Sequence, residues 1–340
     1  MFSPDQYELL DFGEGRRLER FAQIVLDRIC PSAENIRKKM PDLWKNADAV
    51  FRADVTSEKT QKNSKNSSVL GERGSWQPLT EAGRAIFVNI DAKNQANSKP
   101  WSLRYDQVTF ELRGTPFGHV GLFPEQAENW DSIKRLCQMF VTTQKTVQDS
   151  CPPNEKTGPR VLNLFGYTGG STLAAAFGGA VVTHVDAAKN VVAWAQKNAE
   201  ISQLSQFPIR WIAEDASKFV RRELKRGNSY HGIILDPPSY GHGTHGEVWR
   251  LSAHLSDLLF DCFSLLELQF SCFLLLTCHT PDYTLPRLTK MLAKAAADAV
   301  SPRFSKSTQR QAHLEQKTLT LQAKSGEVLP SGESLLYLLQ

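Results

Sequence analysis

The chain has 340 residues, of which 41% are hydrophobic and 22% are charged. The length allows roughly two domains of ordinary size, and the composition excludes disordered, collagenous and coiled-coil proteins. The net charge of +4 is too small to identify a polyanionic partner by itself. The first residues lack a basic stretch followed by an apolar run, so we expect neither a secretory signal nor a transit peptide, and hence a cytosolic protein.

Neither a membrane span nor a metal site is predicted. The most apolar stretch, residues 258–278, contains Asp261, Glu267 and Gln269, and this pattern is typical of a helix followed by a strand. The six cysteines form no Cys-x-x-Cys pair, so we expect reduced thiols without a disulfide framework or a zinc site. His242 and His245 have a spacing that a metal accepts, but no Cys or carboxylate cluster lies near them in the sequence.

The first 115 residues predict a small β-rich accessory domain. Short apolar stretches at 22–26, 85–90 and 108–112 lie between clusters of Gly, Pro, Asn and Ser, which is typical of short strands. Residues 56–74 contain almost no apolar side chain and predict a long exposed loop.

A basic window lies between Arg37 and Lys65. It contains eight Lys or Arg residues and four Asp or Glu residues, so its excess of four equals the net charge of the whole chain. The window is either an ordinary solvated surface or a patch that contacts phosphates.

The second predicted domain covers residues 116–340. It begins with a connecting segment, 116–158, in which Trp130, Ile133, Cys137 and Phe140 recur at helical spacing. Five apolar strands then alternate with four helices, and the strands are predicted at 161–164, 181–186, 209–213, 232–236 and 270–277. The helices are predicted at 171–177, 189–202, 216–226 and 249–266. This alternation predicts a doubly wound α/β domain with a mostly parallel sheet, which binds ligands beyond the carboxyl ends of its strands.

The residues after the first two strands indicate a nucleoside. Asn163 to Gly169 form a glycine-containing turn whose G-x-x-G-G spacing differs from the dinucleotide pattern, which argues against a nicotinamide oxidoreductase. Asp186 ends the second strand, where a carboxylate can accept hydrogen bonds from both hydroxyls of a ribose. Asn198, on the following helix, is predicted to be a polar residue that faces solvent.

Acidic residues also follow the third and fourth strands. Asp215 can bind an adenine amino group, cap the helix that opens at Ala216, or do both. Asp236 begins the run Asp-Pro-Pro-Ser-Tyr, and its two prolines fix a rigid lip that presents Asp236 and Tyr240 to a ligand.

The chain resembles class I S-adenosylmethionine-dependent methyltransferases, in particular the RlmI-like ribosomal RNA (cytosine-5) methyltransferases. Four runs carry this resemblance in order and spacing: Asn-Leu-Phe-Gly-Tyr-Thr-Gly-Gly from Asn163, Val-Asp at Asp186, Glu-Asp-Ala at Asp215 and Asp-Pro-Pro-Ser-Tyr from Asp236. The resemblance covers residues 116–340. It implies a Rossmann-like domain with a mixed, mostly parallel seven-stranded sheet, S-adenosylmethionine as cofactor and RNA, in particular ribosomal RNA, as substrate. It implies neither a metal nor an oligomeric state.

The resemblance also implies a set of cofactor-binding residues: Phe123, Pro124, Gln126, Asn163, Phe165, Gly166, Tyr167, Thr168, Gly169, Asp186, Ala187, Asp215, Ala216, Asp236 and Pro237. The segment that ends at Gln126 departs from the family, which has Asp-Gln-Arg where this chain has Pro124-Glu125-Gln126 and no arginine. The first domain is expected to help dock RNA through the basic window.

Cys278 follows the fifth strand and resembles the nucleophile in the Thr-Cys-Ser run of RNA cytosine-5 methyltransferases. A thiolate that adds to C6 of cytosine makes C5 nucleophilic, with Asp236 on the edge of the base and Tyr240 stacked on it. His279 replaces the serine, and Ser239 stands where many such enzymes have a second cysteine. Three alternatives stay open: Cys278 as a core residue, a base nitrogen as acceptor, and an RNA-associated protein that binds the cofactor without catalysis.

Overall fold

The structure, a computed structural model, describes residues 1–54, 73–87, 99–147, 158–242, 248–303 and 310–340. The chain forms two compact units. The first unit contains Met1–Ala127 and Thr320–Pro330, and the second contains Glu128–Leu319 and Ser331–Gln340. The predicted boundary between residues 115 and 116 stays a prediction.

The first unit is built on a five-stranded sheet, which confirms the predicted β-rich N-terminal domain. The strands lie in chain order: β1 (Tyr7–Gly13), β2 (Arg16–Phe21), β3 (Ile24–Ile29), β4 (Ala49–Ala53) and β5 (Gly74–Pro78). Only the β3–β4 pair of this sheet is parallel. A separate hairpin follows, formed by β6 (Trp101–Tyr105) and β7 (Val108–Leu112). Inward-facing side chains such as Leu18, Phe21 and Leu26 are fully buried.

One strand prediction in this unit is wrong. Ala85 and Ile86 belong to helix α1 (Glu81–Ile86), and residues 88–90 lie outside the described residues. Thr80 starts the helix because its Oγ1 accepts a hydrogen bond of 3.0 Å from the Gly83 N–H and donates one of 2.5 Å to Asp48. The helix cap formed by Thr80 therefore determines the local structure of Ala85 and Ile86, whose apolar side chains had suggested a strand. Most of the predicted loop, residues 55–72, also lies outside the described residues.

The second unit contains the predicted mixed, mostly parallel seven-stranded sheet. The order across the sheet is β10-β9-β8-β11-β14-β16-β15. Its strands are β8 (Arg160–Leu164), β9 (Val181–Asp186), β10 (Ile209–Ala213), β11 (Gly232–Leu235), β14 (Cys272–Cys278), β15 (Ala312–Gln322) and β16 (Val328–Leu339). The last three residues of β15 and the first three of β16 are assigned to the first unit. The first five are mutually parallel, and β16 pairs antiparallel with β14. A short hairpin of β12 (Tyr240–His242) and β13 (Val248–Arg250) stands apart from this sheet.

Helices connect the strands of the second unit. The connecting helices are α3 (Gly170–Phe177), α4 (Lys189–Ile201), α5 (Ala216–Lys225), α6 (Leu251–Ser264) and α7 (Leu285–Ala299), and another helix, α2 (Ala127–Val147), precedes β8. All five predicted strands and all four predicted helices of this region are present, each with ends within two residues of the prediction. Every residue of β11 and β14 is buried, as expected for central strands of a parallel sheet. Among the described residues, no helix is long and apolar enough to cross a membrane.

Candidate active site

Five strand ends define the candidate site in the second unit. Because β10, β9, β8, β11 and β14 are adjacent and parallel, their carboxyl ends lie along one edge of the sheet. The strand order also reverses beside β8, which is the position where such sheets bind ligands. The structure brings to this edge the predicted residues that follow these five strands, from Asn163 to Cys278.

The turn after β8, residues 165–169, is a tight backbone loop. Phe165 and Tyr167 have positive φ angles of 56° and 47°, and Gly169 has a φ of 93°. Positive φ is uncommon outside glycine, and such residues concentrate at ligand sites. Gly166 is required for a different reason: a Cβ atom there would lie 2.4 Å from the His184 ring. The loop backbone therefore lies directly against the neighbouring strand.

Asp186, at the end of β9, is held by this loop. Its Oδ2 accepts a hydrogen bond of 3.0 Å from the Tyr167 N–H, and its Oδ1 accepts one of 2.9 Å from the Ala188 N–H. Burial raises the pKa of the carboxyl, although these two hydrogen bonds act in the opposite direction. Each carboxylate oxygen keeps capacity for a further donor. A carboxylate fixed in this way fits the paired hydroxyls of a ribose.

A buried chain of polar side chains lies beneath the loop. Asn163 Nδ2 donates to Thr172 Oγ1 at 2.8 Å, and Thr172 Oγ1 lies 2.8 Å from His184 Nδ1. Burial lowers the pKa of His184 to about 3, so the imidazole is neutral at physiological pH. Asn163 and His184 thus tie β8, β9 and the start of α3 together below the loop.

Two residues that support the loop from below, His184 and Asn198, were not predicted from the sequence. His184 was recognisable as a polar residue inside an apolar strand, two positions before Asp186 and therefore on the same face of the strand. Asn198 was predicted on the surface, and this is wrong: it is 0% exposed and its Nδ2 donates to the Thr168 carbonyl at 2.9 Å. The helical position of Asn198 faces the loop, which the local polarity of the sequence does not show.

The third strand end carries Asp215. Its Oδ1 accepts a hydrogen bond of 2.9 Å from the Lys218 N–H and caps α5, while Ala216 is buried in the first turn. The neighbouring Glu214 forms a two-pronged ion pair with Arg222, in which Nη1 and Oε1 are 2.7 Å apart. The helix cap is therefore present and uses only one carboxylate oxygen of Asp215. Binding of an adenine amino group by the other oxygen stays a prediction.

The lip, residues 236–240, is anchored by the elements that follow it. Trp249 Nε1 donates to the Pro238 carbonyl at 2.7 Å, and the Leu251 N–H donates to the Ser239 carbonyl at 3.0 Å. The Trp249 ring also lies 5.0 Å from the Phe165 ring in the first loop. Trp249 therefore connects two strand-end loops, a role for which the sequence contained no signal. Tyr240 is 52% exposed, as a residue that stacks on a ligand requires.

Cys278 ends β14, next to β11 and Asp236. The residue is 1% exposed, and burial raises the pKa of its thiol, as do the nearby charges of Asp236 and Glu333, against hydrogen bonds from Thr280. The thiol is therefore protonated at rest. His279 follows, with its Nε2 3.4 Å from Asp236 Oδ1.

Phe123, Pro124 and Gln126 belong to the first unit. Pro124–Gln126 form a single 3-10 turn, in which all three residues are buried, and the Phe123 ring lies 5.4 Å from the His119 ring. Their predicted role at the cofactor stays a prediction.

Most described cations of the basic window are paired within the first unit. Lys38 pairs with Glu14 at 3.1 Å, Lys39 with Glu327 at 3.2 Å and Lys45 with Asp42 at 2.7 Å. Arg37 is exposed. The remaining lysines of the window, Lys59, Lys62 and Lys65, lie outside the described residues.

Metal ligands do not cluster in the part of the chain that the structure describes: no group of three His, Cys, Asp or Glu side chains comes together there. His245 is outside that part, so the histidine pair of the sequence is not described.

Comparison with known proteins supports this description. No protein-family model matches the chain. The crystal structure of the S-adenosylmethionine-dependent methyltransferase from Agrobacterium tumefaciens superposes on this chain with a TM-score of 0.74. The two sequences are 32% identical, and the match covers 98% of this chain and 89% of that one. Ribosomal RNA large subunit methyltransferase I from Aeromonas hydrophila is 32% identical over 170 residues, which are 48% of this chain and 42% of that protein.

A second relative covers less. Ribosomal RNA large subunit methyltransferase K/L from Hahella chejuensis is 36% identical over 122 residues, which are 34% of this chain and 16% of that protein. The chain thus spans less than half the length of either ribosomal RNA methyltransferase.

Proposed function

Because the chain belongs to the S-adenosylmethionine-dependent methyltransferases, we propose that it transfers a methyl group from this cofactor to a base of RNA, with ribosomal RNA as the substrate. Family membership confirms the predicted cofactor and enzyme class. The observation that carries the proposal is the edge of the sheet, where a glycine loop, Asp186, Asp215 and Asp236 follow neighbouring parallel strands. The names of the two ribosomal RNA methyltransferases support the substrate class.

The residues of this edge fit the cofactor. The backbone of residues 165–169 would hold the methionine part, Asp186 the ribose hydroxyls, and Asp215 with Ala216 the adenine, while Asp236 and Pro237 would close the pocket. S-adenosylmethionine supplies an electrophilic methyl group on a sulfonium. Methyl transfer needs mainly alignment and exclusion of water, and the loop, fixed by Asp186 and His184, provides a rigid surface for both.

For the acceptor we propose cytosine C5. Cys278 Sγ would add to C6 of the ring as its thiol proton passes to N3 of the base, which makes C5 nucleophilic, while Asp236 would hydrogen-bond the edge of the base and Tyr240 would stack on its face. The position of Cys278 supports this role, since β14 pairs directly with β11 and places the cysteine on the strand beside the one that Asp236 follows.

One observation favours a base nitrogen as second candidate. The Cys278 thiol is buried, and its pKa is raised by burial and by two carboxylates, which disfavours the thiolate that addition requires. A nitrogen acceptor uses its own lone pair and needs no protein nucleophile.

Transfer of tritiated methyl groups to RNA from a strain that lacks the gene, followed by mapping of the labelled base, tests the proposal. We expect label in ribosomal RNA at a cytosine C5. Cofactor binding without transfer would contradict the function and indicate a non-catalytic protein.

The acceptor chemistry is tested by Cys278→Ala. Covalent catalysis predicts loss of activity by ~10³-fold or more, because the substitution removes the sulfur that adds to C6. Cys272→Ala is the matched control, since Cys272 is buried on the same strand at its opposite end, and we expect it to retain transfer. Unchanged transfer by Cys278→Ala, with label on a base nitrogen, would replace the first candidate by the second.

A further inference from the structure

His279 lies between two groups from different strands. Its Nε2 is 3.4 Å from Oδ1 of Asp236, the residue that directly follows β11. Its Nδ1 is 2.7 Å from the carbonyl oxygen of Ser331 on β16. The imidazole and the carboxylate are both about one third accessible, with 33% and 30% of each side chain exposed. The pair therefore borders the proposed acceptor site without being sealed in the core.

The Ser331 contact fixes how the imidazole carries its protons. A carbonyl oxygen only accepts hydrogen bonds, so Nδ1 must carry a hydrogen. The Asp236 carboxylate also only accepts, so the contact with Nε2 becomes attractive when one proton lies between them. A distance of 3.4 Å is long for such a bond, and catalytic hydrogen bonds commonly shorten when substrate binds. The geometry is that of a site with room for one additional proton.

Gly332 makes this arrangement sterically feasible. Its φ of 134° lies in a region that favours glycine, and a Cβ atom at this position would lie 2.6 Å from His279 Nδ1. Any other residue would push the imidazole away from the Ser331 carbonyl. The backbone of β16 thus approaches the ring closely because residue 332 is a glycine.

We propose that Asp236 and His279 form a proton-accepting pair for the methylated base, which rests on the function proposed above. When the base attacks the methyl group, a bond forms from C5 or nitrogen to carbon, and the carbon–sulfur bond breaks with its electron pair on sulfur. The base then carries one surplus hydrogen. Asp236 takes up that proton and passes it to His279 Nε2. At C5, the C–H bonding electrons form the C5–C6 double bond and Cys278 leaves as a thiolate, which regains its proton from N3; at a nitrogen acceptor, the N–H bonding electrons return to nitrogen.

The charged neighbours of the pair favour uptake of this proton. Cys278 adjoins His279 on β14, and Glu333 lies opposite Cys278 in the β14–β16 register, where its Oε2 accepts a hydrogen bond of 2.9 Å from Thr318. Asp236 and Glu333 are carboxylates, and both act electrostatically on Cys278. Negative charge around an imidazole stabilises its protonated form. His279 acts on the base through Asp236 and is therefore a positioning and relay residue.

The test compares the full-length wild type with His279→Gln. Glutamine keeps an N–H donor for Asp236 but cannot take up a proton. We expect kcat for RNA methylation to fall by ~10²-fold, while KM for RNA and the Kd for S-adenosylmethionine change less than twofold. The wild type should lose activity at acidic pH as the pair fills with protons, and at saturating S-adenosylmethionine this acidic limb should shift to lower pH in the variant, in which only Asp236 of the pair remains to be protonated. His313→Gln, an exposed histidine on β15, is the control.

Two further readouts make the test specific. If cytosine C5 is the acceptor, His279→Gln should accumulate a denaturation-resistant adduct of protein and methylated RNA, because the step that releases Cys278 is slowed. Gly332→Ala keeps His279 in the sequence but moves its imidazole away from the Ser331 carbonyl. This variant should lower kcat and alter the acidic limb of the pH–rate profile. A wild type without RNA methylation would overturn both the function and the pair. An active wild type with unchanged kcat and pH profile in His279→Gln would overturn the pair alone.

Discussion

At Gly166 the candidate site has no room for a side chain. A Cβ atom there would lie 2.4 Å and 2.5 Å from Cε1 and Nδ1 of the His184 ring. Overpacking of this kind costs about 1–3 kcal/mol, and the loop would move away from Asp186. We predict that Gly166→Ala weakens the binding of S-adenosylmethionine by ~10-fold, equivalent to about 1.4 kcal/mol, as measured by calorimetry.

His184→Ala provides the control for this prediction. It removes the ring that the new methyl group would strike, so the double variant should bind the cofactor better than Gly166→Ala alone. A double-mutant cycle measures this coupling directly, and contacting residues typically give ~0.5–3 kcal/mol. Strictly additive effects of the two changes would show that the clash does not limit binding.

Asp186 predicts a pH dependence of cofactor binding. Burial raises its pKa above the usual value of 3.8 in the folded state. The carboxylate that accepts the ribose hydroxyls is thus present above this raised pKa and is lost as the pH falls through it. As the pH is lowered, the affinity for S-adenosylmethionine should therefore begin to fall at a higher pH than it would if this aspartate had its ordinary pKa.

The linked effect on stability has the opposite sign. Because the folded form holds the proton more tightly than the unfolded form, this carboxyl contributes stability at low pH, and the contribution is lost as the pH rises through its folded-state pKa.

Titration calorimetry of the wild type, Asp186→Asn and the exposed control Asp257→Asn tests the predicted pH dependence of cofactor binding. An equal pH dependence in the wild type and Asp186→Asn would contradict the assignment.

At the scale of elements, the anchoring of the lip depends on Trp249. Replacement by Phe keeps the apolar contact with Phe165 but removes the hydrogen bond to the Pro238 carbonyl. We predict that Trp249→Phe lowers the free energy of unfolding by about 1–2 kcal/mol and lowers kcat/KM for RNA, because the lip that presents Tyr240 becomes less rigid.

Trp101→Phe is the matched control. Trp101 is buried in the first unit, and its Nε1 has no hydrogen-bond partner among the described residues. Its replacement removes a buried unsatisfied donor and should cost less in denaturant unfolding than Trp249→Phe. Equal losses would mean that ring volume, and not the hydrogen bond, determines the effect.

The elements that the sequence predicted well share one property. β8 to β11, β14 and the helices between them are each specified by a local pattern, since apolar runs and helical periods need no information from distant residues. The order of strand ends then placed Asp186, Asp215 and Asp236 on one edge. Asn198 and Trp249 were missed because their roles depend on contacts with residues 30 and 11 positions away.

At the scale of the whole chain, a single boundary in the sequence does not separate the two compact units, because each unit contains two segments of the chain. Thr320–Pro330 belongs to the first unit, where Ala323 bridges to Leu9 and the Lys324 N–H donates to the Leu9 carbonyl at 2.8 Å. More than 300 positions separate these residues in the sequence. Such pairing leaves no local signal, so a boundary drawn from motifs cannot include it.

The basic window concerns the binding of the whole molecule to RNA. Arg37 is exposed and has no ion pair with another described residue, whereas Lys45 is held 2.7 Å from Asp42. A cation that is already neutralised by a neighbour releases fewer counterions when it meets a phosphate. The net charge of the window therefore overstates what its described residues offer to RNA.

We predict that Arg37→Ala reduces the slope of log K for RNA binding against log salt concentration by ~0.7–0.9, the contribution of one phosphate contact. Lys45→Ala should reduce the slope by less because of its pair with Asp42. Lys197→Ala on α4, whose ammonium lies 3.0 Å from Glu200, is a control outside the window and should leave the slope unchanged. Fluorescence anisotropy with ribosomal RNA fragments over a salt series measures these slopes. An unchanged slope in the triple variant Arg37→Ala, Lys38→Ala, Lys39→Ala would show that this part of the first unit does not contact RNA phosphates.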